Sequence, residues 1–543
     1  MSFSKTSFPA WLRSSAAVLA IFLISAVFTT ANLEVSRKIG RLSTVSNYDD
    51  VVYLNLASTI YFTGKTQGPG AAAALLFGKE LHAPFPVVNG LAGFVLFGPD
   101  VERVYHMLTL VVFAFLLFIA ATTRGLPVIL RAGLVLGSLA IPFATMCALE
   151  FRPDLMWATV LGGSGVLFLG AAHPFRKWSP SVLYGLALGA VLLIKPSTFA
   201  MTLLVLGGVW FLVALREKLC GNAGWRQIAV GWLLTALAAI VVCGWYVIPH
   251  GSEILGYFYS NSFGQNKDVW IYKGGLLDRW TYYLRGAALQ SNPGYFFLPL
   301  LGLYLWGAIR DLWKGEGLEA RLRGGSFLWM LVCLFGVNAV FAMKSPFLGG
   351  AFYGFLIFGG FWYLARLLAS APVQAWLTPL PRQIAAACAL AGLAWVGFSF
   401  PEVCRVSRVS ADTQTSVNRA LLSDLLARAP QGRRTILLLT QGNPVVGEYL
   451  QMEFRRRGLD LRIHSAAMMR SAGEVIAFAQ RPRYAVVQDP GMLGTPQDAI
   501  PGEKLQPELI AYFHSNPDWK LVSEYPDKSG KRAYLYERLT RRP

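Results

Sequence analysis

The sequence predicts a polytopic α-helical membrane protein carrying a soluble α/β domain at its C-terminal end. Two observations predict the first part. The chain contains about eleven apolar runs of roughly the 17 to 25 residues that a helix needs to cross about 30 Å of hydrocarbon. It is also 54% apolar and only 15% charged over 543 residues, with a mean hydropathy of +0.45, where a soluble chain carries about 25% charged residues. A third observation, the change to ordinary soluble composition from about residue 401, predicts the second part.

The expected spans are approximately 14–32, 104–123, 129–148, 155–172, 180–195, 197–215, 227–247, 293–309, 325–342, 346–365 and 383–400. Lys5 and Arg13 precede the first, as in a secretory signal. With many spans following and no obvious Ala-x-Ala-like cleavage site, it reads as a retained helix. Arg124 and Arg131, Arg176 and Lys177, Arg216, Lys218 and Arg226, then Arg310, Lys314, Arg321 and Arg323, and Arg366 and Arg382 alternate onto one side. The positive-inside rule makes that side cytoplasmic. Residues 1–400 then form a transmembrane module in a bacterial inner membrane. Its loops 33–103 and 247–292, and the domain of residues 401–543, face the periplasm.

The net charge of +19 sits largely in these short connections, where anionic lipid headgroups account for it and a nucleic-acid partner is not required. Of the six cysteines none forms a Cys-x-x-Cys pair, so neither a disulfide framework nor a zinc site is expected.

The first outer loop is patterned like a folded cap. Asp49 and Asp50 precede an apolar stretch, Val51 to Phe62, that suits a helix lying along the interface, interrupted by Asn55 and Ser58. Gly64 to Gly70 reads as a turn, Ala71 to Phe77 as a short helix, and Pro84 and Pro86 as the entry to another apolar segment ending at Gly98-Pro99. The second outer loop is dense in aromatic residues, among them Tyr257, Tyr259, Trp270, Tyr272, Tyr282 and Tyr283. That density suits an interfacial belt, and the same rings could stack on a sugar.

In the tail, strands are expected at 435–440, 459–464, 484–488, 519–524 and 532–537, and helices at 447–457, 473–480 and 507–513. Alternation of this kind gives a compact α/β layer domain. It has no Gly-x-Gly-x-x-Gly loop, and Gln441-Gly442-Asn443-Pro444 reads as a strand-to-helix turn.

Ionisable residues recur at one membrane depth: Glu80 and His82 in the first loop, Glu150, Arg152 and Asp154 between the third and fourth spans, Lys195 before Pro196, and Lys344 at the end of the ninth span. Charges at such depth are costly and face a cavity or one another. A carboxylate there can take a proton from an acceptor hydroxyl or amine, while Arg and Lys hold the charge of a departing phosphate.

These residues resemble motifs of the GT-C glycosyltransferases that use polyprenyl-phosphate sugars, in the branch of the lipid A aminoarabinose transferases and protein O-mannosyltransferases. Tyr48-Asp49-Asp50-x-x-Tyr53-x-x-Leu56-Ala57 is similar to the signature of the first outer loop. Leu81-His82-Ala83-Pro84-Phe85, running to Leu96-Phe97-Gly98, is similar to its second. Phe151-Arg152-Pro153-Asp154, the stretch Gly185 to Lys195 followed by Pro196, and Lys344-Ser345-Pro346 are similar to further family elements. The resemblance covers roughly residues 14–365 and departs at Leu81, where the aminoarabinose transferases carry a Glu, and at His82, where Lys is common.

The resemblance implies Asp49 as the catalytic carboxylate, supported by Asp50 and Glu80. It implies His82, Arg152, Lys195 and Lys344 as holders of the donor phosphate. Asp154, Tyr257, Tyr259 and Trp270 are the expected acceptor or sugar contacts. Asp49 and Asp50 also offer oxygens to a divalent cation, Mg²⁺ or Mn²⁺, although two carboxylates are an incomplete shell. The implied partners are a polyprenyl-phosphate-linked sugar, membrane lipids and a lipid, glycan or protein acceptor. Two rival readings are a transporter or flippase, which would place its site near the midplane between repeated halves, and a non-catalytic envelope assembly protein.

Overall fold

The computed structural model describes residues 10–46, 48–78, 83–264, 272–341, 343–398, 408–428, 435–439, 445–492 and 501–539. Glu80, His82, Trp270 and the Gln441-Gly442-Asn443-Pro444 turn lie outside the described residues. The chain packs as two compact units, one of Met1–Glu34, Glu80–Asn89 and Tyr105–Val403 and one of Val35–Lys79, Gly90–Val104 and Cys404–Pro543.

Helix occupies every expected span. The segments are Ala10–Ile39, Val101–Thr122, Val128–Gly137 with Pro142–Leu149, Pro153–Gly170, Trp178–Ile194, Pro196–Leu219, Trp225–Val247, Phe297–Lys314, Gly317–Val340, Gly350–Leu368 and Leu380–Phe398. Six of them are individually long and apolar enough to cross a membrane, among the described residues. The third expected span is broken: Val128–Ala140 and Pro142–Leu149 meet at 69°. Ile141 is extended (ψ 126°) ahead of Pro142, as the proline ring requires of its predecessor. The amide of Phe143, left unpaired by the break, donates to the Asn292 carbonyl at 2.8 Å. The chain is a multi-pass membrane protein.

Small residues set the helix crossings of the first unit. A Cβ on Gly162 would lie 2.6 Å from the Gly354 carbonyl carbon, and one on Gly354 would lie 2.5 Å from the Ala158 carbonyl oxygen. Helix Pro153–Gly170 therefore touches Gly350–Leu368 backbone to backbone. Gly189 lies equally close to Ala239, which locks Trp178–Ile194 onto Trp225–Val247. Both contacts fix the ends of helices that carry Asp154 and Lys195.

In the second unit the tail forms a five-stranded sheet in the order β2-β1-β3-β5-β4, from β1 Thr435–Leu439, β2 Leu461–Ser465, β3 Tyr484–Gln488, β4 Trp519–Pro526 and β5 Arg532–Arg538. β2, β1 and β3 are parallel, and β5 is antiparallel to β3 and β4. Alternation along β1 explains its apolar run. Leu437 and Leu439 pack with Leu421, Leu425, Leu450 and Phe454 on one face, and Leu438 packs with Val475, Leu509 and Phe513 on the other. A strand covered on both faces has no polar side. Helix Arg408–Arg428 belongs to the first of these layers. The polar stretch read at the start of the tail is this helix, with Gln414, Val417, Asn418, Leu421, Leu422 and Leu425 buried at helical spacing.

Most of the described part of the 33–103 segment is helical, in Tyr48–Gln67, Pro69–Gly78 and Pro84–Phe97. The turn is narrower than Gly64 to Gly70. Of its glycines, Gly68 takes the left-handed conformation (φ +92°), while Gly64 stays helical, where a Cβ would lie 3.2 Å from the Ala72 Cβ. The helix starts at Tyr48, so Asp49 and Asp50 occupy its first turn, where the helix dipole favours negative charge.

Candidate active site

The first unit gathers four of the ionisable residues into one buried knot. Glu150 ends helix Pro142–Leu149, Arg152 precedes helix Pro153–Gly170, and Asp154 lies in that helix's first turn. The extended link between the two helices turns all three side chains toward one region. Arg152 Nε donates to Glu150 Oε2 at 3.2 Å, and its guanidinium stacks 4.2 Å from the Phe347 ring. Lys195 caps the C-terminus of Trp178–Ile194 before Pro196 and donates to Asp154 Oδ1. All four residues are largely buried.

The knot is balanced, two cations against two carboxylates, so by itself it has no surplus charge for an anion. Lys344 supplies one. It lies in the link between Gly317–Val340 and Gly350–Leu368, donating to the carbonyls of Asn338 and Ala339, which the helix end leaves unpaired. Its ammonium stands 5.3 Å from the Tyr283 ring centroid. Burial, and then the positive charge of Arg279, push the Lys344 ammonium down to about 8. Tyr283 is buried, and its carbonyl accepts from the Tyr353 hydroxyl at 2.7 Å. An ammonium has three donors, and the two carbonyls use two.

In the second unit the two adjacent acids have different surroundings. Asp49 is exposed at the helix start. Asp50 is fully buried and pairs with Arg41 at 3.3 Å. The helix they begin is held by the tail through the two residues that interrupt its apolar face. Arg455 donates to the Asn55 carbonyl at 3.3 Å, to the Asn55 side-chain oxygen, and to Ser58 Oγ at 3.0 Å. Asn55 Nδ2 donates in turn to Gln451 Oε1 at 2.8 Å. Thr415 Oγ1 donates to the Ser43 carbonyl at 3.2 Å, beside the turn that carries Arg41.

Tyr257 and Tyr259 are at the surface of helix Gly251–Ser262, 42% and 64% exposed, outside the buried knot. The residues that sequence reading missed are Arg41, Arg279, Phe347, Gln451 and Arg455. Phe347 directly follows the Lys344-Ser345-Pro346 motif, and Tyr283 stands in the aromatic loop. Nothing in the sequence pairs Asn55 with a residue 400 positions away.

The described residues include one group of three metal-type donors within 4.8 Å of one another, His173, Glu217 and Glu319, which does not include Asp49 or Asp50. A cation on the acid pair would have to share Asp50 with Arg41.

The knot predicts a stability asymmetry. Removing one partner of a buried pair costs about 3 to 5 kcal/mol, whereas replacing both with apolar groups is near neutral. Lys195→Met is expected to destabilise the protein by about that amount in thermal unfolding, and a second change, Asp154→Leu, to restore most of it. A neutral single variant would contradict the buried pair.

The helical architecture, the broken third span and the five-stranded domain together make up a fold that is known from a solved structure. It is shared with ArnT from Cupriavidus metallidurans. The crystal structure of ArnT in the apo state matches with a TM-score of 0.59 at 14% identity, covering 97% of this chain and 98% of that one. ArnT bound to undecaprenyl phosphate matches with a TM-score of 0.56 at 13% identity, covering 98% of each. No protein-family model and no curated protein sequence matches the chain.

Proposed function

We propose that the protein is a membrane glycosyltransferase that moves a sugar from a polyprenyl-phosphate donor to a lipid, glycan or protein acceptor at the periplasmic face of a bacterial inner membrane. The observation that carries this reading is the end-to-end sharing of fold with a protein crystallised with undecaprenyl phosphate. In the proposed step, the Asp49 carboxylate takes the proton of an acceptor hydroxyl or amine as that atom bonds to the sugar's anomeric carbon. The bond from that carbon to the phosphate oxygen breaks, and polyprenyl phosphate leaves with the electron pair. Arg152, Lys344 and His82 are assigned to the departing phosphate, and Lys195 to the same charge through its pairing with Asp154. Glu80 and Asp50 are assigned to support Asp49. The aromatic residues Tyr257, Tyr259 and Trp270, with Asp154, are assigned to the sugar and acceptor.

The Lys344 assignment has a pH signature. A lysine lowered to about 8 is charged below that pH and neutral above it. The donor KM is expected to rise roughly tenfold between about pH 7 and pH 9. Lys344→Arg, whose charge persists, is expected to flatten the profile. A wild-type profile flat over this range would remove Lys344 from phosphate binding.

The reading includes a divalent cation on Asp49 and Asp50. Loss of activity in EDTA, restored by Mg²⁺ or Mn²⁺, is the expected result, and full activity after chelation would eliminate the ion.

A further inference from the structure

The end of helix Trp178–Ile194 away from Lys195 carries a cavity of about 340 Å³ between that helix and Trp225–Val247. The helix has 17 residues, so at 1.5 Å per residue the cavity lies about 25 Å from Lys195. Arg176, Lys177 and Arg226 line it, with no acidic residue among its lining groups. None of the three has an ion-pair partner among the described residues. Its floor is apolar, formed by Phe175, Val230 and Gly231. A Cβ at Gly231 would come within 2.6 Å of Phe175 and 3.1 Å of Ser181 Oγ, so the bare glycine lets the Phe175 ring and Ser181 pack directly against helix Trp225–Val247.

Ser181 is the second observation. It lines the same cavity, is 1% exposed, and its hydroxyl has no hydrogen-bond partner among the described residues. A buried hydroxyl left unpaired costs about 1 to 3 kcal/mol, and an anion's oxygen in the cavity would relieve that. On the same two helices, Leu183, Leu233, Leu237 and Val241 are exposed, an apolar surface that suits acyl chains.

We propose that this cavity is a binding site for the phosphate headgroup of an anionic phospholipid, gripped by Arg176, Lys177, Arg226 and Ser181, with the acyl chains along the exposed faces of Trp178–Ile194 and Trp225–Val247. Guanidinium and ammonium groups bind phosphate by charge-assisted hydrogen bonds, and basic pockets between membrane helices are suited to lipid headgroups. The apolar faces favour a lipid over free phosphate, which would use the cations and the hydroxyl alone.

The test is native mass spectrometry of the full-length, delipidated protein titrated with dioleoyl phosphatidylglycerol, dioleoyl phosphatidylcholine or inorganic phosphate. Phosphatidylglycerol is expected to bind at least about tenfold tighter than phosphatidylcholine and to resist displacement by equimolar phosphate. Replacing all three cations, Arg176→Gln with Lys177→Gln and Arg226→Gln, is expected to weaken it of the order of 100-fold. Val230→Trp keeps every charge but fills the cavity, so it serves if the triple variant does not fold, and it is expected to weaken binding at least about tenfold. Unchanged phosphatidylglycerol binding in the triple variant overturns the proposal, as does unchanged binding in Val230→Trp, which would assign the effect to diffuse surface charge. Equal binding of phosphatidylcholine overturns it too. Ready displacement by inorganic phosphate would make the site one for a soluble anion and likewise overturn it.

Discussion

Asp49→Asn is expected to reduce sugar transfer about 1000-fold, the usual scale for losing a positioned proton acceptor, while leaving thermal stability almost unchanged. Asp49 is exposed, and surface substitutions lie mostly within about 0.5 kcal/mol of neutral. Its interaction with the helix dipole adds about 0.3 to 1 kcal/mol at most. The adjacent Asp50→Asn should behave in the opposite way. Asp50 is buried against Arg41, and its neutralisation breaks that buried pair, at a cost of about 3 to 5 kcal/mol. Its activity loss should therefore follow unfolding. Measuring transfer and unfolding for both variants separates the roles of two neighbouring carboxylates. Activity retained in Asp49→Asn would move the proton acceptor elsewhere.

The second large effect is at a residue remote in sequence from the acid pair. Arg455→Ala removes a half-buried group that holds Asn55 and Ser58. Hydrogen bonds to charged groups contribute about 1.5 to 3 kcal/mol each, and stranded partners add a desolvation penalty. The helix Tyr48–Gln67 then loses its main polar anchor to helix Gly447–Arg456, and the carboxylate at its start loses its fixed position. Transfer is expected to fall at least about tenfold with donor KM little changed, because misplacement of a reacting group is felt in turnover. A double-mutant cycle with Asn55→Ala should show coupling of about 1 to 3 kcal/mol. Additive effects would mean that the two residues do not act through one contact. The same contact predicts that removing residues 404–543 inactivates the protein, since that segment supplies Arg455, Gln451 and Thr415.

The elements most legible in the sequence were those with one strong period. Eleven apolar runs are all helical, and five apolar strands in the tail match in position to within two residues. Helix Arg408–Arg428 was not legible because its buried positions include Gln414 and Asn418. Asn418 is not a core filler: its side-chain oxygen accepts from the Val446 amide at 2.9 Å, a contact set by tertiary structure. The break at Pro142 falls in a run whose apolarity hides it, although the proline marks the place. The sequence placed Asp154 and Lys195 at one membrane depth without pairing them; the structure joins them directly, as the cost of burying either charge alone requires. The separate fates of Asp49 and Asp50 were beyond the sequence, because they depend on which carboxylate faces Arg41. Asn55 and Ser58 looked like flaws in an apolar helix and are its anchor to the tail.

The account rests on glycosyl transfer. The most direct measurement is to incubate purified protein with polyprenyl phosphate carrying a radiolabelled sugar, together with envelope extract as acceptor, and to follow the label. The account predicts label in a glycosidic product with stoichiometric release of polyprenyl phosphate, both absent from Asp49→Asn. Label that crosses a vesicle membrane still attached to its carrier, with no glycosidic product, would contradict it and identify a transporter.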